Sequence, residues 1–406
     1  MSENNRNNRK RLDDLLAFSL GIMNGEDGTM LIEKYKDSIS SITPYDMLNL
    51  EDKQLQMGIS QREIKDDVEK VINVFFKSLD RYEWEKPGEG SFLYYLMLEN
   101  ESFAYRLNHV KKILRSYKGK EQSEFDSLKG ELIPYFKEFE QFDYHYIKKE
   151  NILFPYLESV WDSYRPLKVM WSLHDDIRKA LKQLNTLLND KNSEWTIFNK
   201  SVGKYFSLVF RMFQKENIII FPVAAQTVKE DAWHQMHLQS FEYPFPFIET
   251  PPKPQDSKPE KAGLKSILPD SNLIVSSTGK LSPEQALQVF NNLPVDITVV
   301  DENDKVLFFN KAKDRFFPRS PAIVGRNVRN CHPPESVHVV EKILEAFRKG
   351  EKDKADFWIQ MKGRFILIQY FALRNEHGEY KGVLEASQDV TGIRELKGEK
   401  RLLNWE

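Results

Sequence analysis

A single cysteine, Cys331, stands in 406 residues. One thiol excludes an internal disulfide and a cysteine-built zinc cage, and it fits a reducing compartment. No run of about 18 apolar residues, the length that spans a bilayer, occurs. The polar opening from Met1 to Leu12 is not followed by the apolar core of a secretory leader, so the expected location is the cytoplasm. A dominant charge is also missing. The 59 Lys and Arg against 61 Asp and Glu leave −2, too little for a field that steers nucleic acid or an anionic membrane. Gly-rich phosphate loops, Ser-His-Asp or Cys-His arrangements, and kinase or helix-turn-helix signatures are absent, so the expectation is a protein without enzymatic activity. At this length the chain has room for two or three domains, each with its own core.

What is present is helical periodicity. Leu12, Leu15, Leu16, Leu20 and Met23, then Met47, Leu48, Leu50, Ile64, Val68, Val71, Ile72 and Phe75 recur at helical spacing and predict a small N-terminal helical unit over 9–82. Ser60 followed by Glu63 reads as a capping box, and Lys86-Pro87-Gly88 as the turn that ends the unit. Four helical segments follow, at about 91–117, 121–160, 163–188 and 194–228. Their apolar stripes, such as Phe206, Val209, Phe210 and Phe213, and their short connections predict an antiparallel four-helix bundle over 90–240. A stretch rich in Pro, Lys and Ser over 249–281 has little to bury and reads as a semi-extended linker, so the flanking domains need not hold one orientation.

Beyond the linker the period changes. Ser282-Pro283-Glu284-Gln285 opens a short helix. Runs at 296–300, 305–310, 355–361, 364–373 and 382–389 read as strands, with a helix over about 336–348. This β-β-α-β-β-β order over 282–395 resembles a PAS sensor domain, an α+β fold with an antiparallel five-stranded sheet. Asn310, Cys331, His332, Trp358, Phe365 and Tyr370 are the candidate ligand-pocket residues. Cys331 and His332 are also side-chain types that ligate haem iron, which leaves a haem sensor as an alternative. The plainer reading of Cys331-His332-Pro333-Pro334 is a rigid loop leading into a helix.

Two stretches echo each other, Lys149-Glu150-Asn151-Ile152-Leu153-Phe154-Pro155 and Lys215-Glu216-Asn217-Ile218-Ile219-Ile220-Phe221-Pro222. Such a repeat on alternate helices resembles the hemerythrin-like bundle, whose helices carry His and carboxylate ligands to a pair of iron ions. That resemblance implies a di-iron site, and the residues that qualify are Glu99, His145, Glu150, His174 and Glu216. A helix pairs i with i+4 on one face. The residue four after His145 is Lys149, while Glu150 is turned away by about 140°. Glu216 has Met212 four before it, and His174 has Met170. The spacing therefore predicts that the metal site is weakened or lost, with a di-iron oxygen, nitric oxide or iron-handling protein as the alternative.

The helical unit, the bundle, the linker and the motifs Leu293-Pro294-Val295-Asp296, Phe317-Pro318-Arg319-Ser320-Pro321, Phe357-Trp358-Ile359-Gln360-Met361 and Lys400-Arg401-Leu402-Leu403-Asn404-Trp405-Glu406 together resemble one bacterial family. Its members combine a domain of unknown function 438, a hemerythrin-like domain and a PAS domain. The resemblance implies His at the positions held here by Ile72, Ser91, Tyr94 and Leu367. It also implies a sensory or signalling adaptor that acts through a protein partner or as a homodimer, in which a PAS ligand or an oxidant shifts domain packing.

Overall fold

The computed structural model describes residues 3–117, 122–254, 273–276, 279–313 and 315–400. They divide into two compact units, Met1–Pro254 and Gln255–Glu406. The first is all helical. Its opening helices are α1 (Glu3–Met23), α2 (Gly28–Lys34), α3 (Lys36–Ser40), α4 (Pro44–Gln56) and α5 (Gln61–Leu79). The expected capping box at α5 is present, with Ser60 and Glu63 satisfying each other's backbone N–H groups. A second box, Thr43 with Asp46, starts α4.

The bundle follows as α6 (Phe92–Ser116), α7 (Gln122–Phe139), α8 (Asp143–Lys148), α9 (Phe154–Val160), α10 (Pro166–Asn189), α11 (Trp195–Lys215) and α12 (Phe221–Thr227). The segments expected at 121–160 and 194–228 are not continuous α-helices. Lys149–Leu153 joins α8 to α9, and Glu216–Ile220 joins α11 to α12, each as a π-helical turn. The cause is the proline two residues beyond each turn. Pro155 and Pro222 have no N–H, and their rings crowd the carbonyl four residues back. The helix widens instead, and the N–H of Phe154 bonds to the Lys149 carbonyl and that of Phe221 to the Glu216 carbonyl, five residues back.

The opening helices, expected as a unit of their own over 9–82, share one continuous core with the bundle. Leu15, Phe18, Met47 and Phe75 belong to the same buried cluster as Phe103, Phe136, Ile152 and Val209. Charged groups tie them as well. Buried Lys215 donates to Glu51 at 2.6 Å, Arg165 to Asp52 at 3.0 Å, and Lys65 pairs with Asp176. A further helix, α13 (Glu230–Ser240), packs on α6 and is followed by a strap, 241–248. Phe247 of the strap, at φ 66°, stacks on Phe103 and Phe142, and Phe245 lies 4.2 Å from Lys148 Nζ.

Of the expected linker 249–281, residues 255–272 lie outside the described residues, as do the last six residues of the C-terminal motif, 401–406. The second unit begins with a small hairpin, β1 (Ile274–Ser276) and β2 (Gly279–Leu281), where linker was expected. Helix α14 (Pro283–Asn292) starts on the expected Ser282–Gln285 box. A five-stranded antiparallel sheet then forms from β3 (Asp296–Asp301), β4 (Val306–Phe309), β5 (Lys354–Met361), β6 (Arg364–Arg374) and β7 (Tyr380–Asp389), in the order β4-β3-β7-β6-β5. Helix α15 (Pro334–Arg348) covers one face through Leu344 and Phe347, which meet Val300 and Val383. A last short helix, α16 (Thr391–Glu395), follows β7. Among the described residues no helix is long and apolar enough to cross a membrane.

Gly382 opens β7's pairing with Asp301 at φ 135°, and a Cβ there would run into the Val300 carbonyl oxygen. Only glycine fits this close approach of two strands. Gly382→Ala is expected to destabilise the C-terminal unit by about 2 kcal/mol or more, read as faster hydrogen exchange across β3, β6 and β7 and a lower urea midpoint.

Candidate functional site

The bundle interior is charged. Glu99 and Asn100 from α6, His145 and Lys148 from α8, Lys149 and Glu150 from the first π-turn, His174 from α10 and Glu216 from the second π-turn are all buried. Ionised groups removed from water survive only with partners. Here they sort into two clusters.

In the first cluster His145 Nδ1 lies 2.8 Å from Glu99 Oε2, and Lys148 Nζ donates to Glu99 Oε1. Lys149 Nζ pairs with Glu216 Oε1 and lies 3.6 Å from Met212 Sδ. Asn100 Nδ2 donates to Glu216 Oε2 at 2.6 Å. Burial, and after it the Lys149 and Lys148 ammoniums, hold His145 well below the usual imidazole range, so the ring is neutral. Nδ1–H then donates to Glu99, and the Nε2 lone pair faces Glu216 Oε2 across 3.6 Å with no hydrogen-bond partner. Burial raises the Glu99 carboxyl to about 7 against the pull of Lys148, and it pushes Lys149 well below the ordinary lysine range.

The second cluster is built on Glu150. It meets His174 Nδ1 at 2.7 Å and takes a two-pronged contact from Arg178, Nη1 to Oε1 at 2.9 Å and Nη2 to Oε2 at 3.0 Å. Arg178 Nε donates to Asp143 at 2.6 Å. Burial works against the Arg178 charge, but Glu150 and Asp143 outweigh it and raise its pKa. Burial, then Lys149 and Arg178, depress His174 well below the usual range. Stacked rings close both clusters, Phe142 on His145 and Tyr146 on His174.

The five candidate ligands therefore do not meet at one point. Glu99, His145 and Glu216 share one cluster, and Glu150 and His174 the other. Among the described residues no three His, Cys, Asp or Glu side chains converge as a metal site. Each carboxylate already carries a protein cation: Lys148 on Glu99, Lys149 on Glu216, Arg178 on Glu150. A pair of metal ions does not fit this donor set, because each would be forced against an ammonium or guanidinium in a medium of low dielectric. The sequence reasoning missed Lys148, Asn100 and Arg178 as parts of the clusters. Their signal was available, since Lys148 follows His145 by three and Arg178 follows His174 by four, on the same helix face. Of the positions where the resemblance implied His, Ser91 only precedes α6, Tyr94 packs edge-on to Tyr95, and the Ile72 side chain lies outside the described residues.

In the C-terminal unit the pocket candidates also separate. Tyr370 on β6 pairs across to Glu385 on β7, and both point to the side covered by α15. His332, Arg319 and Arg326 interact electrostatically with this group, and burial pushes the Tyr370 phenol up and the His332 imidazole down. Trp358 and Phe365 are corrections to the expected pocket. They lie an odd number of positions from Tyr370 in register and so on the opposite sheet face. Trp358 is 65 % exposed, and Arg394 stacks on Phe365 at 3.9 Å. Leu367 shares that outer face, directly opposite Trp358. Asn310 is a structural pin: its Oδ1 accepts from Ile297 N at 2.7 Å while Nδ2 donates to the Phe290 and Val295 carbonyls. Cys331 Sγ lies 3.7 Å from the Asn327 carbonyl, and His332 Nδ1 donates to the Val328 carbonyl at 2.8 Å.

The depressed imidazoles set a pH dependence. His145 and His174 are neutral when folded but take protons near pH 6.5 when unfolded, so their stabilisation is complete above that pH and is lost on acidification. Each contributes a slope of up to about 1.4 kcal/mol per pH unit. Glu99, raised to about 7 from 4.5, acts with the opposite sign between those values, losing stabilisation as pH rises. Urea stability of the bundle is expected to fall from pH 6.5 to 5 in the wild type, and His174→Asn is expected to flatten that fall by about one such slope.

Residues 91–224 match the family described as hemerythrin HHE cation binding domain, and residues 287–391 match a PAS domain family. Among solved structures, a C-terminal domain from Streptococcus mutans is 38% identical, covering 31% of this chain and 97% of its own, with a TM-score of 0.30. The PAS domain of a protein from Colwellia psychrerythraea is 18% identical over 27% of this chain and 97% of its own, with a TM-score of 0.22. The PAS domain from Bordetella pertussis BvgS is 20% identical over 28% and 88%, with a TM-score of 0.23. No curated protein matches the chain. After its opening helices, then, this chain carries a hemerythrin HHE domain followed by a PAS domain.

Proposed function

We propose that the protein is a non-enzymatic, cytoplasmic bacterial signalling adaptor whose PAS domain takes a small polar ligand and whose hemerythrin domain serves as an ion-paired helical body. The opening helices are read as the domain of unknown function 438 that the resemblance implies. The observation that carries the reading is the inner face of the C-terminal sheet. Glu385, Tyr370, His332, Arg319 and Arg326 bring a carboxylate, a phenol, an imidazole and two guanidiniums to one side of it, and Arg319 Nε has no hydrogen-bond partner. A core needing only apolar contact has no use for such a set, whereas a ligand with acidic and hydrogen-bonding groups does. Sensing then passes to a protein partner or a second copy of the chain through a shift in population.

A di-iron oxygen, nitric oxide or iron-handling role is disfavoured by the protein cations already seated on Glu99, Glu216 and Glu150. A haem role would draw on Cys331 or His332, both engaged with backbone carbonyls. Native mass spectrometry of the full chain purified from cells tests the main reading. The expected result is a noncovalent small-molecule mass, lost in Arg319→Ala. Protein that carries its bare sequence mass in aerobic and anaerobic preparations alike would overturn it, and an intense Soret band would favour haem instead.

A further inference from the structure

Counted back from the two prolines, the π-turns put Lys149 and Glu216 in equivalent places, each the first residue of its turn and each the same distance before its proline. One helical turn earlier stand His145 and Met212, again equivalent. The two equivalent residues carry opposite charges and pair with each other at the centre of the bundle. A symmetric arrangement would present two like side chains there. This chain presents a cation and an anion.

The surroundings of the pair hold acceptors in excess of protons. The Nε2 lone pair of His145 has no hydrogen-bond partner, and a Glu216 oxygen faces it at 3.6 Å. Two acceptors facing one another without a proton between them repel; Asn100 Nδ2 donates to that Glu216 oxygen at 2.6 Å, and a nearby positive charge offsets the rest. That charge is the Lys149 ammonium, on the other Glu216 oxygen and 5.0 Å from the Tyr146 ring. Lys148 stands in the same relation to Glu99, on the oxygen that His145 leaves open.

We propose that Lys149 is a built-in cation that takes the place of a bound metal ion, and that its removal exposes a latent divalent-cation site made of His145 Nε2 and the Glu216 carboxylate. A carboxylate introduced at position 149 completes that site with a third ligand from the equivalent helix. The inference concerns the bundle alone and stands whether or not the PAS domain takes a ligand.

The test uses the full chain and Mn2+ alone, followed by electron paramagnetic resonance and by differential scanning calorimetry. Wild type is expected to bind no stoichiometric Mn2+ and to melt at the same temperature with and without it. Lys149→Met is expected to melt lower, since Glu216 loses its partner, and Lys149→Glu to bind about one Mn2+ at least tenfold more tightly than wild type, with a melting temperature that rises on metal addition. Stoichiometric binding by wild type that disappears in His145→Ala would overturn the proposal, as would a folded Lys149→Glu that binds no better than wild type. Should Lys149→Glu fail to fold, Lys149→Met decides. It must then bind Mn2+ above wild type through His145 and Glu216, and no gain would refute the idea.

Discussion

A carboxylate taken out of water must find a cation or a proton, and the bundle is arranged around that requirement. Three carboxylates, Glu99, Glu150 and Glu216, are buried where the helices converge, and each meets a positive group from a different stretch of chain. Removing one partner from such a pair typically costs about 3–5 kcal/mol, far more than the intact pair contributes. The pairs therefore specify how the helices assemble more than they add to the total. Lys148 and Glu99 fix α8 against α6, Lys149 and Glu216 fix one π-turn against the other, and Arg178 fixes α10 against the first turn. The same logic extends outward through Lys215 and Glu51, which join the bundle to the opening helices.

The strap after α13 completes the exclusion of water that makes these pairs strong. Phe247 stacks on Phe142, which in turn stacks on His145, so an unbroken column of rings runs from the surface segment to the first cluster. Arg106 lies over Phe247, and Ser102 donates to its carbonyl, which holds the strap to α6 at both its ring and its backbone. Phe245 gives Lys148 an aromatic face in place of solvent. The middle of α6 is thus covered by a segment with little regular structure of its own.

The fold was largely legible in the sequence because it rests on periodicity and caps. The apolar stripes of the bundle, the Ser60 and Ser282 capping boxes and the alternation of the C-terminal strands are local signals, and the elements they predict are present. The site was legible only in part. Glu150 turning away from His145, and Lys149 standing in the ligand slot, follow from helix geometry alone. What each of them meets does not, because His174, Arg178 and Glu216 arrive from other helices at long sequence separation. In the C-terminal unit, candidates chosen by residue type alone missed the pleat. Trp358 and Phe365 are aromatic enough for a pocket, but their parity along β5 and β6 places them opposite Tyr370. The π-turns escaped notice because a proline at the end of a helical pattern reads as a stop, whereas here the chain widens and continues.

The π-turns also carry an arithmetic that the echo of letters conceals. Matched by its Lys-Glu-Asn spelling, Glu150 corresponds to Glu216; matched by its distance to the proline, Lys149 does. The two copies differ by one residue in the apolar run, two residues against the three of Ile218, Ile219 and Ile220. That single step is a phase difference of about 100° around the helix. It sends Glu150 to His174 and Arg178 and leaves an ammonium at the centre. In this stretch the length of the chain governs chemistry as strongly as its composition does, so an insertion or deletion of one residue exchanges the buried charge at the middle of the bundle while every side chain type is conserved.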